Sequence, residues 1–218
     1  MDIVIFGAGG RAGRRAVAEA RGRGHRVTAV VRDPARHSGP DGLLPMAGDD
    51  PDGLRLVAGD VMDAASVELA AAGHDAAISA AADLAVPSHE FFTASARALA
   101  SGLVKAGVPR LVVVGLSSVL PGASGAPLMD EPGYPSEYRS FCLGHAAGLA
   151  ELRTADLDWA YVAPAGDFDH EGTPAGRYRI AEHGDMASRI TYADFAIALV
   201  DEIETPRSHR SAASVREA

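Results

Sequence analysis

Short apolar runs alternate with stretches of helical periodicity along almost the whole chain. Ile3, Val4, Ile5 and Phe6 are apolar on both faces, which predicts a buried parallel strand. From about residue 10 to 23, Ala12, Ala16, Val17 and Ala20 share one face of a helix that Gly22 and Gly24 stop. The run 26–31 is a second strand and 54–58 a third. Asp63 caps a helix to about Ala72, and residues 75–80 form a fourth strand ending in small residues. A long helix over 88–106 precedes a fifth, fully buried strand at 110–115. A helix over 136–154 leads to a sixth strand at 157–162, ended by Pro164. Residues 192–204 are amphipathic, with Phe195, Ile197, Leu199 and Val200 apolar, and the tail after Pro206 adds a short edge strand. Strands alternating with helices predict an α/β fold of the Rossmann type, a doubly wound parallel sheet with ligand at the carboxyl ends of its strands.

Residues 37–53 are turn formers with little periodicity, a loop whose length suits a flap, a disordered stretch or a partner-binding segment. The 218 residues carry no internal repeat and no clear linker. They are expected to form one domain, 1–218, in which 165–218 supplies a small substrate-side segment.

Composition narrows the function. An apolar share of 47% allows a sizeable core. The net charge of −9, with no basic face, argues against nucleic acid as a partner. The single cysteine, Cys142, forms no intrachain disulfide and suits a reducing cytoplasm. Met1 leads straight into the first strand, leaving no room for a signal peptide, and no apolar run reaches transmembrane length, so no membrane partner is expected. The expected partner is a small-molecule substrate; a homodimer or a protein partner stays open. Of the 20 Lys+Arg, only Lys105 is lysine.

The strongest chemical signal follows the first strand: Gly7-Ala-Gly-Gly-Arg-Ala-Gly13. Gly7 allows a sharp turn. Gly9 and Gly10 let bare backbone approach a diphosphate, with Arg11 and Ala12 alongside, and Gly13 lets the helix pack close to the strand. The helix then presents free N–H groups and its positive dipole end to the anion. The second strand ends Val30-Val31-Arg32-Asp33-Pro34, placing Arg32 where an acidic residue would hold the ribose 2′-hydroxyl of NAD. A guanidinium there pairs with a 2′-phosphate, so NADP(H) is expected over NAD(H). Asp33 still reaches a ribose. Arg11 and Arg36 are further candidates for the phosphate, although a solvated loop charge is the simpler account of Arg36.

These residues, together with Gly59-Asp-Val-Met-Asp63, Leu152-Arg-Thr-Ala-Asp-Leu-Asp-Trp-Ala-Tyr-Val-Ala-Pro164 and Ser188-Arg-Ile-Thr-Tyr-Ala-Asp-Phe-Ala196, give the chain a resemblance nearly end to end. It resembles the atypical short-chain dehydrogenase/reductases of the NmrA-like and NAD(P)H-flavin-reductase-like (biliverdin reductase B-like) type. The resemblance implies NADP(H), with Asp60 and Val61 near the adenine, Ser79, Ala80 and Ala81 along the nucleotide, and Pro164 to Gly166 near the nicotinamide.

On the catalytic side the resemblance thins. The typical Ser, Tyr and Lys four residues later are broken here: Ser117 and Ser118 follow the fifth strand and Tyr134 and Tyr138 come after them, but Tyr138 and Cys142 stand where the lysine belongs. Lys105 lies at the wrong end of the sheet. His145 or Arg139 is an electrostatic substitute, and Ala163 replaces the family's usual Arg before Pro164. Ser118 and Tyr138 are the proton-donor candidates, with Ser117 near the cofactor. Asp167-Phe-Asp-His-Glu171 has metal-ligating residue types in no metal spacing, so a solvated loop over the cofactor is expected and no metal. Trp159 reads as core, while Phe91, Phe92 and Tyr161 fit either core or substrate wall. The pattern supports an NADPH-dependent oxidoreductase reducing a flavin, quinone or carbonyl. Alternatives are a non-catalytic NADP(H)-binding redox sensor of the NmrA-like type and an isomerase or epimerase on the same fold.

Overall fold

The computed structural model describes residues 1–37 and 53–218. Apart from its end residues, the expected 37–53 loop lies outside the described residues. The elements, in order, are β1 (Asp2–Phe6), α1 (Arg11–Gly22), β2 (Arg26–Val31), β3 (Leu54–Ala58), α2 (Ala64–Ala71), β4 (Ala76–Ser79), α3 (Ser88–Ala106) and β5 (Arg110–Val114). They continue with α4 (Arg139–Thr154), β6 (Asp158–Pro164), β7 (Asp167–Asp169), β8 (Tyr178–Ala181), β9 (Arg189–Thr191), α5 (Tyr192–Glu204) and β10 (Ser211–Glu217).

The main sheet has the order β3-β2-β1-β4-β5-β6-β10-β8. Every pairing in it is parallel except β10 with β8, and the strand order reverses between β1 and β4. That reversal opens the crevice in which doubly wound sheets take their ligands. Alternate side chains of β1 feed two different cores: Ile3 and Ile5 face the layer with α1 and α5, while Val4 and Phe6 face α2, α3 and α4. This is why β1 is apolar at every interior position. Asp63 caps α2 by accepting the Ala65 amide at 3.0 Å, as its place in the sequence predicts.

The chain departs from the sequence pattern near its carboxyl end. The tail forms a strand, but not an edge: β10 lies between β6 and β8. Its sequence, Ser-Ala-Ala-Ser-Val-Arg-Glu, carries little apolar signal because only Ser214 and Val215 are fully buried. The strands β7, β8 and β9 are three or four residues long and depend on partners distant in sequence, so local periodicity does not mark them. The 167–171 segment, expected as a loop, thus contains β7, which pairs with β9. Helix α4 begins at Arg139, preceded by a 3-10 turn over Ser136–Tyr138. Trp159 is core, and Arg110, buried, anchors the tail through Glu202 at 3.0 Å and the Ser208 carbonyl at 2.9 Å.

Candidate functional site

The carboxyl ends of β1 to β6 gather most of the residues expected at the site. Gly7 turns the chain with φ +72°, and a Cβ there would sit 2.5 Å from Ala81 Cα, so the strand-to-helix turn packs directly on the backbone that leaves β4. Gly13 is as tightly held: its Cβ would lie 2.2 Å from the Gly7 carbonyl oxygen. These two glycines draw the amino end of α1 against β1. Arg14 steadies the turn by donating to the Gly9 carbonyl at 2.7 Å.

Gly10 is different. A Cβ there would meet only Gly7 O at 3.4 Å and Ala80 O at 4.0 Å, and the first turn of α1, with no acidic residue, begins beside it. This bare backbone and helix end fit the diphosphate of a dinucleotide. Over Gly9 the His37 imidazole covers the backbone, so that glycine's missing side chain admits His37 in this structure. Arg11 is exposed and donates to His170 Nδ1 at 2.9 Å, joining the glycine turn to the segment after β7; Ala12 is half-buried.

Arg32, at the end of β2, reaches across to Asp83, beyond the end of β4, and the two form an ion pair. Asp33 instead shapes its own turn by accepting the Ala35 amide at 3.1 Å, and Arg36 pairs with Asp33 at 3.2 Å. After β3, Asp60 accepts the Met62 amide at 2.9 Å and Val61 is buried beside it. Ser79 is buried at the end of β4, and Ala80 and Ala81 follow over the glycine turn. Pro164, also buried, ends β6.

Past β5, Ser117 and Ser118 are both buried in a short 3-10 turn. The buried Ser118 hydroxyl lies close enough to that of Tyr134 to oppose the rise of the phenol, although the pair lacks good hydrogen-bond geometry. Tyr134 OH is 3.3 Å from Cys142 Sγ; burial, then the thiol, push the phenol up to about 12. Tyr138, by contrast, is 56% exposed. The structure therefore brings Tyr134, rather than Tyr138, to Ser118. Arg139 is held outward by Asp130 at 2.9 Å, and Lys105 sits in the last turn of α3, at the opposite end of β5.

Behind these residues, Leu116 donates its amide to the Tyr161 hydroxyl at 2.9 Å, and that hydroxyl meets His145 Nδ1 at 3.0 Å. Burial alone lowers His145 to about 3, and burial raises Tyr161, so both are neutral. Gly115 makes room for the Tyr161 ring, which a Cβ would approach to 2.3 Å. Phe92 and Phe141 pack on the imidazole with centroid distances of 3.7 and 4.9 Å. Among the described residues no group of three His, Cys, Asp or Glu is placed to hold a metal, and no helix is long and apolar enough to cross a membrane.

Asp83, Tyr134's partnership with Cys142, and the Arg11–His170 contact are the features that spacing did not single out. Asp83 had one available signal, an acidic residue four positions beyond Ser79 at the end of a predicted strand.

Strand order, glycine turn and helix end together define a dinucleotide-binding α/β protein. The chain belongs to a family described as NAD(P)H-binding, which matches residues 7–206. The uncharacterized protein YwnB of Bacillus subtilis is 35% identical over 220 residues, covering 94% of this chain and 93% of that one. A crystal structure of a candidate NADH-flavin reductase from Streptococcus pneumoniae is 29% identical over the full length of both chains, with a TM-score of 0.81. A candidate epimerase from Bacteroides thetaiotaomicron is 28% identical over 99% of this chain and 96% of its own, also with a TM-score of 0.81. The fold is that of oxidoreductases with nicotinamide cofactors, in keeping with the resemblance drawn from the sequence.

Proposed function

We propose that this chain is an NADPH-dependent reductase of a small or aromatic acceptor of the flavin, quinone or carbonyl class. The observation that carries the proposal is the placement of two sets of groups along the same sheet ends. The glycine turn and Arg32 stand at β1 and β2, and a buried Ser118 hydroxyl faces Tyr134 beyond β5. Gly10 and the amino end of α1 hold the diphosphate, and Arg32 holds the ribose 2′-phosphate. When bound, the reduced nicotinamide supplies a hydride to the acceptor.

The protein's remaining work is position and proton supply. The loop carrying Ser117 and Ser118 and the turn after Pro164 form the walls against which an acceptor lies. Tyr134 OH donates a proton to a carbonyl oxygen, and Ser118 Oγ orients that oxygen. Quinones and flavins draw less on this donor, which suits a site without a lysine. The name borne by the Streptococcus pneumoniae relative supports the flavin class. A single buried cysteine supports a cytoplasmic location.

The distance of Lys105 from the site favours one second reading, a non-catalytic NADP(H)-binding sensor. Calorimetric titration with NADPH and NADH, followed by nicotinamide absorbance with a panel of flavins, quinones and aldehydes, separates the two. Binding with turnover is the result expected; binding without turnover across the panel leaves the sensor, and no binding overturns both. Arg32→Ala is expected to weaken NADPH by about 1.5–3 kcal/mol while leaving NADH nearly unchanged.

A further inference from the structure

Arg32 and Asp83 come from the ends of β2 and β4, strands that do not pair with each other but flank β1. Their ion pair crosses the crevice where the strand order reverses, beside the glycine turn that packs on Ala81. The two partners are unequal. The Asp83 side chain is only 11% exposed, and its Oδ1 is fixed by the Ala85 amide at 2.9 Å. The Arg32 side chain is 68% exposed. A largely buried, anchored anion thus holds an exposed cation at the position expected to read the ribose.

We propose that Asp83 is a specificity-determining residue that competes with the ribose 2′-phosphate for Arg32. The proposal rests on the proposed function, in that nicotinamide dinucleotides bind at the glycine turn. A 2′-phosphate presents three acceptor oxygens and takes the guanidinium, but it must first separate Arg32 from Asp83 and then remain near an unpaired carboxylate. A 2′-hydroxyl leaves the ion pair intact and can donate to it. Arg32 therefore pulls selectivity towards NADPH and Asp83 pulls it back towards NADH, and the balance between them sets the ratio of the two affinities.

Asp83→Asn isolates the charge, because the asparagine keeps an oxygen for the Ala85 amide while losing the anion. Titration calorimetry with NADPH and NADH, repeated with 2′,5′-ADP and 5′-AMP as fragments, reads binding without any turnover. The NADH-to-NADPH ratio of Kd values should rise by about two- to fivefold in the variant, the strength of an exposed ion pair. That gain should shrink in about 0.5 M salt, where such pairs are screened. In an Arg32→Ala background the same asparagine should move the ratio by less than half as much. A ratio that stays put, shifts towards NADH, or rises equally without Arg32 would overturn the competition. Wild-type protein that takes up neither dinucleotide would sink the proposed function instead, whereas uptake of both with no effect of Asp83→Asn removes only the role of Asp83.

Discussion

His145 Nδ1 and the Tyr161 hydroxyl share a hydrogen bond of 3.0 Å inside an aromatic cage where the imidazole stays neutral. Burial lowers the folded-state pKa from 6.5 to about 3, so between those values the unfolded chain binds a proton that the folded chain refuses. Stability from this group is complete above pH 6.5 and falls as pH drops towards 3, with a slope approaching about 1.4 kcal/mol per pH unit. His145→Asn keeps a hydrogen-bonding group near Tyr161 and removes the titration. The variant should be less stable at pH 7.5, and its deficit should narrow towards pH 5 in urea unfolding. Parallel curves for the two proteins would show that His145 does not couple folding to pH.

The glycine turn separates packing from ligand contact. Gly13→Ala drives a methyl group into the Gly7 carbonyl and the Ala8 backbone, neither of which can retreat without moving β1. A loss of about 1–3 kcal/mol or more in thermal or urea stability is expected. Gly10→Ala meets only ordinary contacts and should cost less than about 1 kcal/mol. Its methyl group would nonetheless stand at the proposed diphosphate contact, so NADPH should bind about tenfold more weakly, near 1.4 kcal/mol. A Gly10 variant with full affinity would move the diphosphate elsewhere.

The order of the first six strands and their helices was legible because β1, β2 and β5 are largely apolar runs and α1 and α5 repeat their apolar positions at the helical period. Gly7 and Gly13 were legible for a similar reason, since only glycine fits where backbone touches backbone. What stayed hidden depends on distance in sequence. Arg32 could be placed at the end of β2 from spacing, but its meeting with Asp83 requires β1 to lie between β2 and β4. Spacing favoured Tyr138 as the donor, but the chain after Pro135 turns Tyr138 outward and leaves Tyr134 beside Ser118. The strands β7 and β9 escaped because three residues carry no period, and their pairing joins segments about twenty residues apart.

Asp194 shows how that late segment is held. Its buried carboxylate accepts the amides of Ala175 at 3.0 Å, Gly176 at 2.7 Å and Arg177 at 3.2 Å, and the Thr191 hydroxyl at 2.7 Å. Thr191 in turn caps α5 by accepting the Asp194 amide at 3.0 Å. One side chain thus ties the loop before β8 to the start of the last helix. Asp194→Ala should cost about 3 kcal/mol or more, since several charge-assisted bonds are lost together. Hydrogen exchange at residues 175–177 should accelerate before that of β1. Uniform acceleration across the sheet would mean that Asp194 supports the whole fold rather than this loop.

Tyr134 offers the sharpest division among acceptors. Its phenol is raised to about 12 by burial and by the Cys142 thiol, so it keeps its proton throughout the working range and serves as an acid rather than a base. A carbonyl acceptor must gain a proton as it is reduced, so Tyr134→Phe should lower its turnover by about 100-fold or more, the usual contribution of a positioned acid. Reduction of a quinone, which draws its protons from water more readily, should fall by less than about threefold. Tyr138→Phe, altering an exposed ring, should leave both rates within about twofold. With the wild-type protein, carbonyl turnover should show no loss from phenol ionisation between about pH 8 and 10, because the raised pKa places that limb higher. Steady-state kinetics with one aldehyde and one quinone across this range settle the matter: equal losses for both acceptors in Tyr134→Phe would make the tyrosine a packing residue, and a strong effect of Tyr138→Phe would return the donor to that position.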